Sequence, residues 1–91
     1  MNLQLNELSA LCWRCFGDEW VVFNEGSGGT IVADPITAAT LMALEAGWVD
    51  QAVLQERIAG DFQIDDSEKL NDLLSERVES LLAMSWIESE N

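Results

Sequence analysis

The sequence predicts an α+β domain in which a three-stranded antiparallel meander is followed by three helices, a winged-helix-like arrangement. From Leu11 to Asp34 the chain is rich in Trp, Val, Phe, Ile and Thr, broken by short Gly-containing turns, which is a strand-rich texture. After Asp34 the apolar residues recur with a helical period. The 91 residues leave room for one small core, and no linker, internal repeat or low-complexity tract divides them. A single domain is expected over 1–91, its core at about 9–88, with loose termini at 1–8 and 89–91.

The first strand is read as Leu11 to Phe16, the second as Glu19 to Asn24 and the third as Gly29 to Ala33. Gly17-Asp18 has the chemistry of a tight hairpin turn, with Gly supplying positive φ. Glu25-Gly26-Ser27-Gly28 makes a looser second loop. Short, sequential connections favour the antiparallel meander. Asp34-Pro35 is a helix start, because Asp caps free N–H groups and Pro is pre-set for the first helical position. The helix that follows, Ile36 to Ala46, carries Ile36, Ala38, Ala39, Leu41, Met42 and Leu44 on nearly every face, a pattern of central burial, and Gly47 ends it. A second helix is expected from about Asp50 to Ala59, stopped by Gly60. Asp65 and Glu68 have the spacing of a capping box that opens a third helix, from about Asp66 to Met84. Its apolar set is Leu70, Leu73, Leu74, Val78, Leu81, Leu82 and Met84, an arc wider than one core contact requires. One flank is expected to face the core and the other a groove. Trp86-Ile87 is read as a short extended piece folding back.

Composition narrows the chemistry. There is no His, so a His base, a His-ligated zinc site and a Ser-His-Asp triad are all excluded within this chain. Seventeen acidic residues against four basic ones give a net charge of −13, which repels phosphate backbones and disfavours nucleic acid. A basic or apolar partner is the better expectation. No apolar run reaches the roughly 18–20 residues of a membrane span, and the first eleven residues lack the charge and apolar stretch of a signal peptide. Cytoplasmic location follows as the expectation, with both cysteines reduced.

No motif builds a catalytic site, a metal site or a cofactor site. Cys12-Trp13-Arg14-Cys15 spells C-x-x-C, but it lies in a strand, where i and i+3 point to opposite faces. The pair is read as two unconnected cysteines, of the kind that behave as small buried hydrophobes. Glu25 to Thr30 is Gly-rich, yet it joins two strands and brings no Lys, so it is a hairpin loop rather than a phosphate cradle. The carboxylates contain no D-x-D-x-D-G calcium loop and read as a solvated surface. Trp13, Trp20, Trp48 and Trp86 read as core and core edge, since the cations of a nucleic-acid stacking platform are missing. Asp66-Ser67 has the local look of a phosphopantetheine attachment point, but it comes late in the chain, after a strand-like third. What remains is a binding surface. A three-stranded meander has exposed edges, and a helix beside its third strand would make a groove that an extended peptide can enter as an added strand. The bland reading is that the edge is covered by a terminus or by Trp86.

The order of these residues resembles the PqqD family of small peptide chaperones, also called RiPP precursor recognition elements. The resemblance runs over about residues 9–88. It is carried by Trp13-Arg14, Glu19-Trp20-Val21-Val22-Phe23-Asn24 and Gly29-Thr30-Ile31-Val32-Ala33-Asp34, then by the small-residue helix Ala38 to Gly47. The closing pattern is Leu73-Leu74, Val78, Leu81-Leu82 and Trp86-Ile87. Trp-Arg followed by Trp-Val-Val-Phe-Asn is similar to the branch found with a kinase related to the HPr kinase. Two departures stand out: Ala33-Asp34-Pro35 replaces the Leu-Asn helix entry of many relatives, and Ser85 stands where a Gly often precedes the last apolar pair.

The resemblance implies a non-catalytic adaptor without cofactor. It would bind the leader segment of a precursor peptide beside the third strand and against the third helix, and present it to a modifying enzyme. The implied strand residues are Gly29, Thr30, Ile31, Val32 and Ala33; the implied helix residues are Leu70, Asn71, Leu74, Arg77, Val78 and Leu81. Arg77, one of four cations, would meet an acidic leader residue, unless it makes only a surface pair with Glu76 or a nearby Asp. The implied partners are the leader peptide and a peptide-modifying enzyme, an HPr-kinase-related protein among the candidates. An unfilled edge is equally a template for a homodimer. Proline at Ile31 or Val32 should weaken binding where it removes an outward donor. The alternatives are a winged-helix transcriptional regulator, against which Glu68, Asp72, Glu76 and Glu79 on the third helix argue, and an acyl or peptidyl carrier modified on Ser67.

Overall fold

The computed structural model describes residues 2–90; Met1 and Asn91, which belong to the termini expected to be loose, lie outside the described residues. The element order is β1 (Asn2–Leu5), β2 (Leu11–Phe16), β3 (Glu19–Asn24), β4 (Thr30–Ala33), α1 (Pro35–Leu44), β5 (Val49–Asp50), α2 (Gln51–Phe62), α3 (Ser67–Ala83) and β6 (Ile87–Glu90). The fold is α+β, with a meander in the order β2-β3-β4 followed by helices, and a second antiparallel sheet in the order β5-β1-β6.

The meander turns as its glycines dictate. Gly17 takes φ 64° at the first central position of the two-residue turn between β2 and β3. Gly28, at φ 82°, forms a bulge before β4: its N–H donates to the Asn24 carbonyl while the Asn24 N–H donates to the Gly29 carbonyl. Gly26 is required for space, because a Cβ there would sit 1.6 Å from the Leu8 carbonyl oxygen. Asn24 is fully buried and ties these pieces together. Its Oδ1 accepts from the N–H groups of Ala10 (3.1 Å) and Gly26 (3.0 Å), and its Nδ2 donates to Ser9 Oγ at 3.0 Å. Every hydrogen-bonding atom of the amide thus has a use, as burial demands.

The termini correct the expectation of looseness. β1 is the central strand of the second sheet, paired to β6 from Asn2↔Glu90 to Leu5↔Ile87 and to β5 through Leu3↔Val49. Leu3 is completely buried and Gln4 hydrogen-bonds Glu88 across the pair. The alternation Asn-Leu-Gln-Leu is a strand signal too short to stand out, and its partner lies more than eighty residues away.

α1 begins as expected, with Asp34 capping the Thr37 N–H and Pro35 in its first turn. It packs against α2, α3, β1, β3 and β4, at the centre of the molecule. Gly60 does not stop α2. The helix runs to Phe62 and ends in left-handed Gln63 (φ 52°), so that Ile64 N–H reaches the Ala59 carbonyl at 3.0 Å and both residues pack on the core. The capping residue of α3 is Asp66, accepting from Lys69 N–H at 3.0 Å, so the Asp65–Glu68 box does not form. α3 closes with the same device as α2: Ser85 is left-handed (φ 61°), and Trp86 N–H donates to the Leu81 carbonyl. Trp86 is buried, and the extended return that follows it is β6.

Candidate functional site

The hydrogen-bond alternation of an antiparallel pair decides what each edge offers. Asn24 N–H bonds the Gly29 carbonyl, and the register runs Phe23↔Thr30, Val22↔Ile31, Val21↔Val32 and Trp20↔Ala33. Ile31 and Ala33 therefore turn their backbone groups inward to β3, while Thr30 and Val32 turn theirs to the open edge. Proline at Ile31 accordingly removes a ladder donor rather than an edge donor; only Val32 fits that part of the expectation. The same count on β2, anchored by Glu25 N–H on the Ala10 carbonyl, leaves Leu11, Trp13 and Cys15 facing outward. Side chains alternate as well: Ile31 and Ala33 face the core, and Val32 stands 63% exposed on the outer face, where Phe23 and Phe16 are also exposed.

Beside the β4 edge lies a groove of about 290 Å³, lined by Ile31, Val32, Asp34, Thr37, Arg77, Ser80, Leu81 and Met84. Its helical wall is the stripe 77, 80, 81, 84, the i, i+3, i+4, i+7 spacing of one helix face. Its floor is apolar (Ile31, Leu81, Met84), and its polar end is an ion pair. Arg77 places Nε 2.9 Å and Nη2 2.8 Å from Asp34 Oδ2, and Nη1 3.5 Å from Glu76. Asp34 Oδ1 meanwhile accepts from Thr37 N–H at 2.7 Å. Partial burial pushes the Asp34 carboxyl up, but the Thr37 backbone and hydroxyl bonds and the Arg77 guanidinium outweigh it, and its pKa falls below the usual 3.8.

The residues expected at the site divide into two groups. Ile31, Val32, Arg77 and Leu81 come together in the groove, with Thr30 presenting its backbone at the adjoining edge. Leu70, Leu74 and Val78 are buried in the core and do not line it, and exposed Asn71 lies outside it. The core takes a continuous stripe of α3 (70, 74, 78, 81), leaving the groove a second stripe rotated toward β4. Ala33 is buried under the sheet, and Gly29 faces the Trp86 ring, 3.4 Å from where a Cβ would stand. Asp34, Thr37, Ser80 and Met84 are the groove residues the sequence reading passed over. Counting i+3, i+4 and i+7 from Arg77 gives Ser80, Leu81 and Met84, and Asp34 directly follows β4.

Cys12 and Cys15 are both exposed, which corrects their reading as buried hydrophobes, and their positions in β2 put them on opposite faces. No group of three or more His, Cys, Asp or Glu among the described residues is placed to hold a metal ion. No helix among them is long and apolar enough to cross a membrane. No family model, curated protein or solved structure matches this chain.

Proposed function

We propose that this protein is a non-catalytic, cytoplasmic peptide adaptor of the PqqD kind, which binds an extended segment of a client peptide and presents it to a modifying enzyme. One observation carries the reading: the β4 edge exposes the backbone of Thr30 and Val32 directly beside an apolar groove against α3. A strand added there bonds to two edge residues and drops alternate side chains over Ile31, Leu81 and Met84. The residue order described for the PqqD resemblance supports the same placement. The acidic solvent face of α3 speaks against a DNA-reading helix.

The energetics suit a transient adaptor. Two apolar anchors at about 1.5–3 kcal/mol each, with strand pairing, act against an association cost of at least about 4 kcal/mol. Affinity should therefore be no tighter than micromolar, about −8 kcal/mol. The test is a tagged pull-down from the source cell, read by mass spectrometry, beside Val32→Pro. A short peptide recovered by the wild type and lost in a folded Val32→Pro variant supports strand addition. Equal recovery by both sinks it.

A further inference from the structure

Resting on the groove reading above, we infer that the client segment is basic: an apolar anchor flanked by Lys or Arg, rather than an acidic motif. The decisive contact is at Arg77. Its guanidinium is already shared between Asp34, at 2.8–2.9 Å, and Glu76, at 3.5 Å, so two carboxylates surround one cation. The polar end of the groove carries net charge −1, and an acidic client residue would compete with both Asp34 and Glu76 for the Arg77 guanidinium. Asp34 is held beside Arg77 by its other oxygen, which caps α1 through the Thr37 N–H.

The rim has the same sign. On the solvent side of the groove stripe the next carboxylate round α3 is exposed Glu76, about 40° beyond Ser80 at about 100° per residue. The other three cations stand elsewhere: Arg14 on β2, Arg57 on α2, and Lys69 eight residues before Arg77, about 12 Å along the helix axis. A strand lying along β4 would therefore meet Glu76 on its outer flank, on a protein whose net charge is −13. Exposed pairs of this sort set selectivity and encounter rate more than affinity.

The test uses three fluorescein-labelled decapeptides with two valines spaced i, i+2 in a Gly/Ser background, differing in three added Lys, Glu or Ser. Fluorescence anisotropy at about 0.15 M salt should show the lysine peptide binding about tenfold tighter than the glutamate peptide. The Glu76→Gln variant should cut that preference about twofold. Val32→Pro, checked by circular dichroism, should weaken binding of the lysine peptide at least about tenfold. Met84→Lys, which places a cation in the groove, gives an independent variant and should weaken it too. Lysine binding that survives both variants would be diffuse attraction to an anionic surface and would overturn the inference. A glutamate peptide that binds tighter and is lost in Val32→Pro would overturn the basic class while leaving strand addition standing. Binding by none of the three would overturn both.

Discussion

β2 and β4 close the two sides of the same meander, and among the described residues neither pairs with a further strand. β2 is the longer, six residues against four, and turns the backbone of Leu11, Trp13 and Cys15 outward. By length alone it is the better template. Yet its Trp13 indole is held down, donating to Glu45 at 2.6 Å and meeting Trp20 edge-on with ring centroids 5.7 Å apart, and the groove described above lies at the other edge. β4 has only Thr30 and Val32 to offer, but α3 stands beside it, and the groove between them joins an apolar floor (Ile31, Leu81, Met84) to the Asp34–Arg77 pair. An open edge supplies backbone bonds to any extended chain; side-chain pockets beside it supply selection. The difference between the two edges is what makes one a candidate site and the other a surface.

Removing what both edges share should have the largest effect. Asn24→Ala strands the N–H groups of Ala10 and Gly26 and loses Ser9, and at about 1–3 kcal/mol per unpaired group stability should fall by roughly 3 kcal/mol or more. Urea unfolding measures it, and a loss below about 1 kcal/mol would contradict the role given to this side chain. Proline then separates the edges. Val32→Pro should weaken peptide binding about 10- to 100-fold, Cys15→Pro should leave it unchanged, and both should fold. Ile31→Pro should instead lower stability by about 1–3 kcal/mol, because it removes a donor to β3. If Cys15→Pro is the variant that loses binding, the site is on the wrong edge.

Ser85→Gly sharpens the β4 side alone. The left-handed turn at Ser85 seats Trp86 under Gly29, and glycine takes that φ without the Cβ penalty. Thermal melts should show a gain of about 0.5–1 kcal/mol. The smallest effect is expected from acid. Asp34 has its pKa lowered on folding, so its contribution is present above pH 3.8 and lost as the pH falls through the folded value. With Asp34 and Arg77 both about a third exposed, solvent screening holds that contribution under about 1 kcal/mol. Asp34→Asn keeps a capping side chain; its stability deficit near neutral pH should shrink as the pH falls below 3.8 and through the folded value.

What could be read in the sequence was local. The meander, the Asp34-Pro35 helix entry and the glycine turns each depend on residues a few positions apart, and they stand where the pattern put them. The misreadings involve distance or competition. β1 was hidden because Leu3 and Leu5 acquire meaning only beside Ile87 and Val49. Gly60 was overruled as a stop because Ile64 packs better if the helix runs one more half-turn, and Asp66 displaced Asp65 as the cap. At the site, a groove between the open edge and the third helix was legible from the meander and the wide apolar arc, while Ile31, Val32, Arg77 and Leu81 were named by the resemblance. The Asp34–Arg77 pair spans 43 residues, so the occupation of Arg77 was visible only as one of two alternatives.

What separates the two edges most directly is which of them a bound peptide protects. Amide hydrogen exchange on 15N-labelled protein, with and without the tightest binding of the three decapeptides, reads both edges in one experiment. Slowed exchange at Thr30 and Val32, with Leu11, Trp13 and Cys15 unchanged, is the expected result. Slowing along β2, or at neither edge while the peptide is bound, would contradict it.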